Sequence, residues 1–165
     1  MTTTQLIATI LVYSIALLAA IYFTGAARRR IAGALAGGAA AGWILLGAVT
    51  LGSGQRWWRV PLPTAPAGLA LFYLAAAISC APIYLITWRV ARRFGGRGLA
   101  VCVALAAAIG PPRDYLIAGM FPEWMVFAPG VAPILADAAA YAGFVGLGHG
   151  AMRLVAGPAR KDQLR

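Results

Sequence analysis

Acidic side chains are nearly missing from this chain. Its 165 residues hold four carboxylates against fourteen lysines and arginines, and charged residues make up only 11% of the total. A water-soluble domain of this length needs far more polar surface than that, and the mean hydropathy of +0.81 excludes one. The single lysine, Lys161, lies in the tail, which excludes an intramembrane Schiff base on lysine. The two cysteines, Cys80 and Cys102, form no CxxC pair and lie inside apolar runs, so they read as small buried side chains. No P-loop, no GxGxxG at a strand–helix junction, no HExxH and no GxSxG occurs. Neither a cofactor nor a metal is expected.

What the chain does have is long apolar runs rich in Ala, Leu and Gly without strict alternation. In lipid, helices satisfy their own backbone groups, so the expectation is an all-α integral membrane protein with the bilayer as its solvent. About five transmembrane helices are expected in one domain, residues 1–165, with spans near 5–27, 31–52, 67–88, 95–110 and 131–157. The fourth apolar run, 99–110, covers only ~18 Å of a ~30 Å hydrocarbon core at ~1.5 Å per residue, so it needs flanking residues to cross. Pro82 is an expected kink in the third span. Small residues four apart recur in the second span (Gly33 and Gly37, Gly38 and Gly42) and in the last (Ala138, Ala142, Gly146, Gly150). Such stripes let helices approach closely in lipid, and they offer contacts to a partner membrane protein as well.

The net charge of +10 follows from topology rather than from nucleic acid. With five spans and an outer N-terminus, eleven of the fourteen basic residues fall on the inner side; Arg56, Arg59 and Arg113 fall on the outer. An N-out, C-in protein of a bacterial-type inner or plasma membrane, with its basic loops in the cytoplasm, is the expectation. No nucleic-acid partner is expected.

Three of the four acids, Asp114, Glu123 and Asp137, cluster within residues 114–137 on the outer side. The stretch GPPRDYLIAGMFPEWMVFAPG, 110–130, is too apolar for a solvated loop and too short for a span. It is expected to be a re-entrant or interfacial segment before the last helix. Asp137 lies ~9 Å into that helix, with Tyr141 four residues on and sharing its face. A carboxylate within a span costs ~2.5–3.5 kcal/mol and generally faces a cavity or a partner. Loss of water favours a carboxyl group's protonated form, which suits a proton donor.

Asp137, Glu123 and Asp114 are therefore the candidate catalytic residues. Arg113, Tyr115, Trp124, Tyr141, Trp57 and Arg59 are the candidates for holding a substrate. The bland alternatives stand beside them: Asp137 tied to Arg113, Asp114 as a turn or cap group, Glu123 in an aromatic anchor loop, and three acids neutralising three arginines. His149 reads as a packing histidine of the inner half, without a metal-ligand or carboxylate neighbour.

The residues Pro122-Glu123 and Phe127 resemble a proline–glutamate motif of small multispanning lycopene cyclases. That likeness spans six residues of 165 and assigns no family. Two classes of function follow. One is a membrane-embedded acid–base enzyme of isomerase, cyclase or hydratase type, acting on a lipid or isoprenoid substrate at the outer face. The other is a non-enzymatic accessory subunit or assembly factor of a larger membrane complex. The residues alone leave open whether this is an enzyme.

Overall fold

The computed structural model describes residues 2–158; Arg160, Lys161 and Arg165, counted above among the inner basic residues, and the fourth acid, Asp162, lie outside the described residues. Four helices, α1 (Thr3–Thr24), α2 (Arg28–Gly54), α3 (Pro66–Met120) and α4 (Val131–Ala156), are joined by connections that contain two short strands, β1 (Trp58–Arg59) and β2 (Val126–Phe127). All four helices are long and apolar enough to cross a membrane.

α1 begins at a reciprocal cap: Gln5 N–H donates to the Thr2 hydroxyl, and Thr2 N–H donates to Gln5 Oε1. It ends at Gly25, whose left-handed φ of 55° a side chain would resist. Only Leu6 of α1 is buried, while Leu11, Val12, Ile15, Leu18, Tyr22 and Phe23 are exposed. Such a surface suits lipid and would be untenable in water.

α2 is the central helix, and its small residues are the reason. A Cβ on Gly33 would press on Met152 and Ala156, one on Gly37 on Tyr84 and the Gly148 carbonyl, and one on Gly38 on the Ala77 carbonyl. The glycine stripe thus packs against α3 on one side and α4 on the other. Ala34, Ala41, Tyr84, Leu85, Trp88 and Met152 form the core around it. The small residues of α4 are used less: Gly146 and Gly150 have open space where a Cβ would stand.

α3 has 55 residues. At ~1.5 Å each a straight helix of that length would be ~80 Å long, far beyond a ~30 Å hydrocarbon core. It is not straight. At Gly95 the backbone takes φ 64°, ψ −153°, a conformation that needs glycine, and helix resumes at 96. Pro82 and Ile86 before the break line the same cavity as Cys102 and Leu105 after it, so the two arms fold alongside each other. The connector implied between the expected spans 67–88 and 95–110 is therefore a one-residue break between helical arms.

Residues 110–120 of the segment expected to be re-entrant or interfacial belong to α3. They are helical, and the connector before α4 is confined to 121–130. Proline's fixed φ is compatible with helix; what Pro111 and Pro112 remove is the bonding of the carbonyls four residues back. Pro111, Gly110 and Asp114 are buried, and that packing holds the helix through the break in its ladder. Arg113, Asp114 and Tyr115 accordingly stand on α3 rather than in a loop.

The two connections at this end are clasped together. β1 and β2 pair antiparallel, Trp58 with Phe127 and Arg59 with Val126. Ala128 N–H donates to the Trp57 carbonyl at 2.8 Å, and the Tyr115 hydroxyl donates to the Ala128 carbonyl at 3.0 Å.

The glycine stripe makes an immediate prediction. Gly38→Ala should destabilise the protein by about 1–3 kcal/mol through overpacking, while Gly47→Ala, with nothing within 4 Å of its Cβ position, should leave stability unchanged or raised. Thermal unfolding in detergent reads both, and equal midpoints for the two variants would contradict the packing described.

Candidate functional site

A cavity of about 640 Å³ lies between the helices, bounded by both arms of α3, by α2, α4 and one residue pair of α1, and closed at one end by the clasp. Its volume falls within the ~300–1,000 Å³ range of small-molecule sites. The walls are mainly apolar, with Leu45, Val49, Ile83, Ile86, Leu105 and Phe144 among them. The charged groups gather towards the clasp end, where Arg113, Asp114 and Asp137 line the same space as Tyr141.

Each of these side chains is placed by its helix. Asp137 and Tyr141 are one turn apart on α4 and both line the cavity, as their spacing predicts. Asp114 comes from the far end of α3, near Met120, and meets Tyr141: the tyrosine hydroxyl donates to Asp114 Oδ2 at 2.9 Å. Arg113 Nε lies 3.1 Å from Asp114 Oδ1, within ion-pair range, but Oδ1 has no aligned hydrogen bond. The Arg113 guanidinium also stands 5.8 Å from the centre of the Tyr141 ring. Gly110 makes this arrangement fit, because a Cβ there would overlap the Tyr141 ring.

Both aspartates are nearly removed from solvent, Asp114 at 8% exposure and Asp137 at 7%. Asp137 Oδ2 is buried and has no hydrogen-bond partner among the described residues. A buried polar atom left without a protein partner is unusual in a native fold, and at a cavity wall it is a group available to a ligand. The chemistry on offer is a carboxyl group with an unengaged oxygen, a second carboxyl held by a hydroxyl and a guanidinium, and an apolar chamber beside them. Among the described residues no group of three His, Cys, Asp or Glu side chains stands together to hold a metal ion.

No family model, curated protein or solved structure matches this chain.

The remaining candidates are placed differently. Glu123 is exposed on the 121–125 turn and lines no part of the cavity. Trp124 stacks on Phe121 with ring centres 5.0 Å apart, outside the cavity, and Arg59 is exposed on β1. Tyr115 belongs to the clasp, stacked on Phe127 at 4.5 Å. Trp57 is half-buried and off the cavity; its neighbour Trp58 is the tryptophan that enters, seated against Gly52 and 5.7 Å from Phe127. Trp57 lies in the bend just before β1, whereas within β1 the buried side is that of Trp58 and the exposed side that of Arg59; two residues of strand are too few to be read from sequence.

Cys80, Tyr84, Thr87 and Cys102 also line the cavity. The first three lie at helical spacing on α3, and that stripe of weakly polar groups was the available signal for a cavity-facing side. His149 packs inside the bundle, as expected, with Nδ1 3.0 Å from Thr87 Oγ1. The Thr87 hydroxyl also lies 3.2 Å from the Tyr84 carbonyl, and the imidazole tautomer sets which of Thr87 and His149 donates to the other.

The Asp114–Tyr141 contact makes a quantitative prediction. In a double-mutant cycle of Asp114→Asn and Tyr141→Phe, read by unfolding in detergent, the two losses should couple by about 1–2 kcal/mol. Additive losses would show that the hydrogen bond contributes nothing to holding α3 against α4.

Proposed function

We propose that this protein is a membrane-embedded acid–base catalyst of isomerase, cyclase or hydratase type, acting on an apolar lipid or isoprenoid substrate. The observation that carries the reading is the burial of two carboxyl groups, Asp114 and Asp137, at one end of a roomy apolar cavity. Asp137, with an oxygen that no described residue engages, is the proton donor to a carbon–carbon double bond or an epoxide oxygen. Asp114, held by Tyr141 and Arg113, is the acceptor that removes a proton from the neighbouring carbon. For an isomerisation the two transfers balance: one proton enters the substrate, one leaves, and exchange between the carboxyl groups resets the site. The faces of Trp58, Phe127 and Tyr141 favour the positive charge that develops on carbon between the two steps.

The reading includes five crossings, counting the arms of α3 separately, with the arginine-rich end cytoplasmic and the carboxyl end outward. Its support is the positive-inside rule applied to Arg28, Arg29, Arg30, Arg89, Arg92, Arg93, Arg97 and Arg153. The accessory-subunit reading keeps one specific support, the unfilled space at Gly146 and Gly150 on α4, where a foreign helix could approach.

Incubation of the purified protein with membrane isoprenoid lipids in D₂O, followed by mass spectrometry of the lipids, tests the proposal. Deuterium should enter carbon positions with the native protein. Asp137→Asn and Asp114→Asn should each lower the rate by ~10²-fold or more, with Asp137→Asn keeping an unchanged unfolding midpoint. No deuterium above background, together with a stoichiometric partner chain in native mass spectrometry of gently extracted protein, would replace the enzyme by the accessory subunit.

A further inference from the structure

At the end of the bundle away from the carboxyl groups, a second pocket of about 330 Å³ opens where the end of α1 and the start of α2 meet the first arm of α3. Four arginines converge on it: Arg30 from α2, and Arg89, Arg92 and Arg93 from α3. Among the described residues no acid lines it; the three acids they include, Asp114, Glu123 and Asp137, all lie towards the opposite end.

Charge alone would say little, since the positive-inside rule already asks for arginines on one side. That rule does not ask them to meet in one pocket, nor to bury donors without partners. Trp88 lines the pocket at 2% exposure, and its indole Nε1–H has no hydrogen-bond partner among the described residues. Arg92 Nη1 is likewise buried without one. Arg89 gives one N–H to the Phe23 carbonyl at 3.2 Å and keeps its other donors. The indole N–H of Trp88, the buried Nη1 of Arg92 and the remaining donors of Arg89 call for a ligand that is rich in acceptors and negatively charged. A phosphate group is that ligand, and guanidinium groups match its oxygens in forked pairs. The Leu85 and Trp88 wall beside the arginines, and the exposed Tyr22 and Phe23 of α1 nearby in sequence to Thr24, suit the upper part of an acyl chain.

We infer that this pocket binds a phosphate group, whether carried by an anionic lipid or free in solution. The inference is independent of the acid–base reading, since it uses other residues at another end of the molecule.

The test uses the full chain in phosphatidylcholine nanodiscs. In one arm, phosphatidylglycerol is titrated into the lipid; in the other, inorganic phosphate and pyrophosphate are titrated into the buffer. The unfolding temperature and the lipid retained in native mass spectrometry are the readouts. A saturable rise with phosphatidylglycerol alone assigns the site to a headgroup, and a rise with the soluble anions assigns it to free phosphate. Arg92→Gln should weaken the binding about tenfold or more, and Trp88→Phe, which keeps the ring and removes the N–H, should weaken it as well. Arg97→Gln is the control, an exposed arginine of the same end outside the pocket. If neither arm shows saturable binding, or if Arg97→Gln weakens it as much as the pocket variants do, the inference is wrong. Should Arg92→Gln fail to fold, Trp88→Phe against Arg97→Gln decides alone.

Discussion

Gly37 faces the Gly148 carbonyl and the Tyr84 ring, and Gly38, one residue on, faces the Ala77 carbonyl. Through these two positions α2 touches both of its main neighbours at backbone distance, and much of the bundle is set by that approach. It brings Tyr84 far enough across for its hydroxyl to donate to the Phe144 carbonyl at 2.8 Å, tying α3 to α4. With α3 and α4 located, Asp114 and Tyr141 can meet at the clasp end, and Thr87 and His149 at the other. In lipid there is no hydrophobic drive between helices, so close packing of small residues and hydrogen bonds between helices must supply the association.

The two ends of the molecule solve opposite electrostatic problems. At the clasp end, acids and bases are nearly matched, and a buried carboxyl group is engaged by a tyrosine and an arginine. Asp137 stands beside them with an oxygen that no described residue engages, which is the departure from full satisfaction that a site requires. At the arginine end no acid among the described residues lines the pocket, and two buried donors, Trp88 Nε1 and Arg92 Nη1, find no acceptor there. One end thus buries carboxyl groups beside a cavity, and the other gathers arginines around a pocket.

Much of this was legible before the structure. Apolar runs of spanning length mark the helices, the Gly33–Gly42 stripe marks the central helix, and the i, i+4 spacing puts Asp137 and Tyr141 on one face. The continuation of α3 through Pro111-Pro112 was not legible, because proline's usual role as a breaker is overridden only by packing that no local pattern reveals. Glu123 looked as promising as Asp114, both being acids in apolar company, yet one is exposed and the other buried. Trp58 rather than Trp57 enters the cavity because Trp58 starts a strand two residues long while Trp57 lies in the bend before it.

Composition and spacing by themselves determined that the chain is helical, that lipid suits its surface, and that its few acids gather towards one end and its arginines towards the other. These are properties of residue types and of separations along one helix. Only the tertiary structure decided which acids share a cavity and which arginines share a pocket. Asp114 and Tyr141 are 27 residues apart on different helices. Arg30 and Arg92 likewise lie on different helices, α2 and α3. Such pairs meet only once helix faces, break points and close approaches are settled together, and those depend on every neighbour at once.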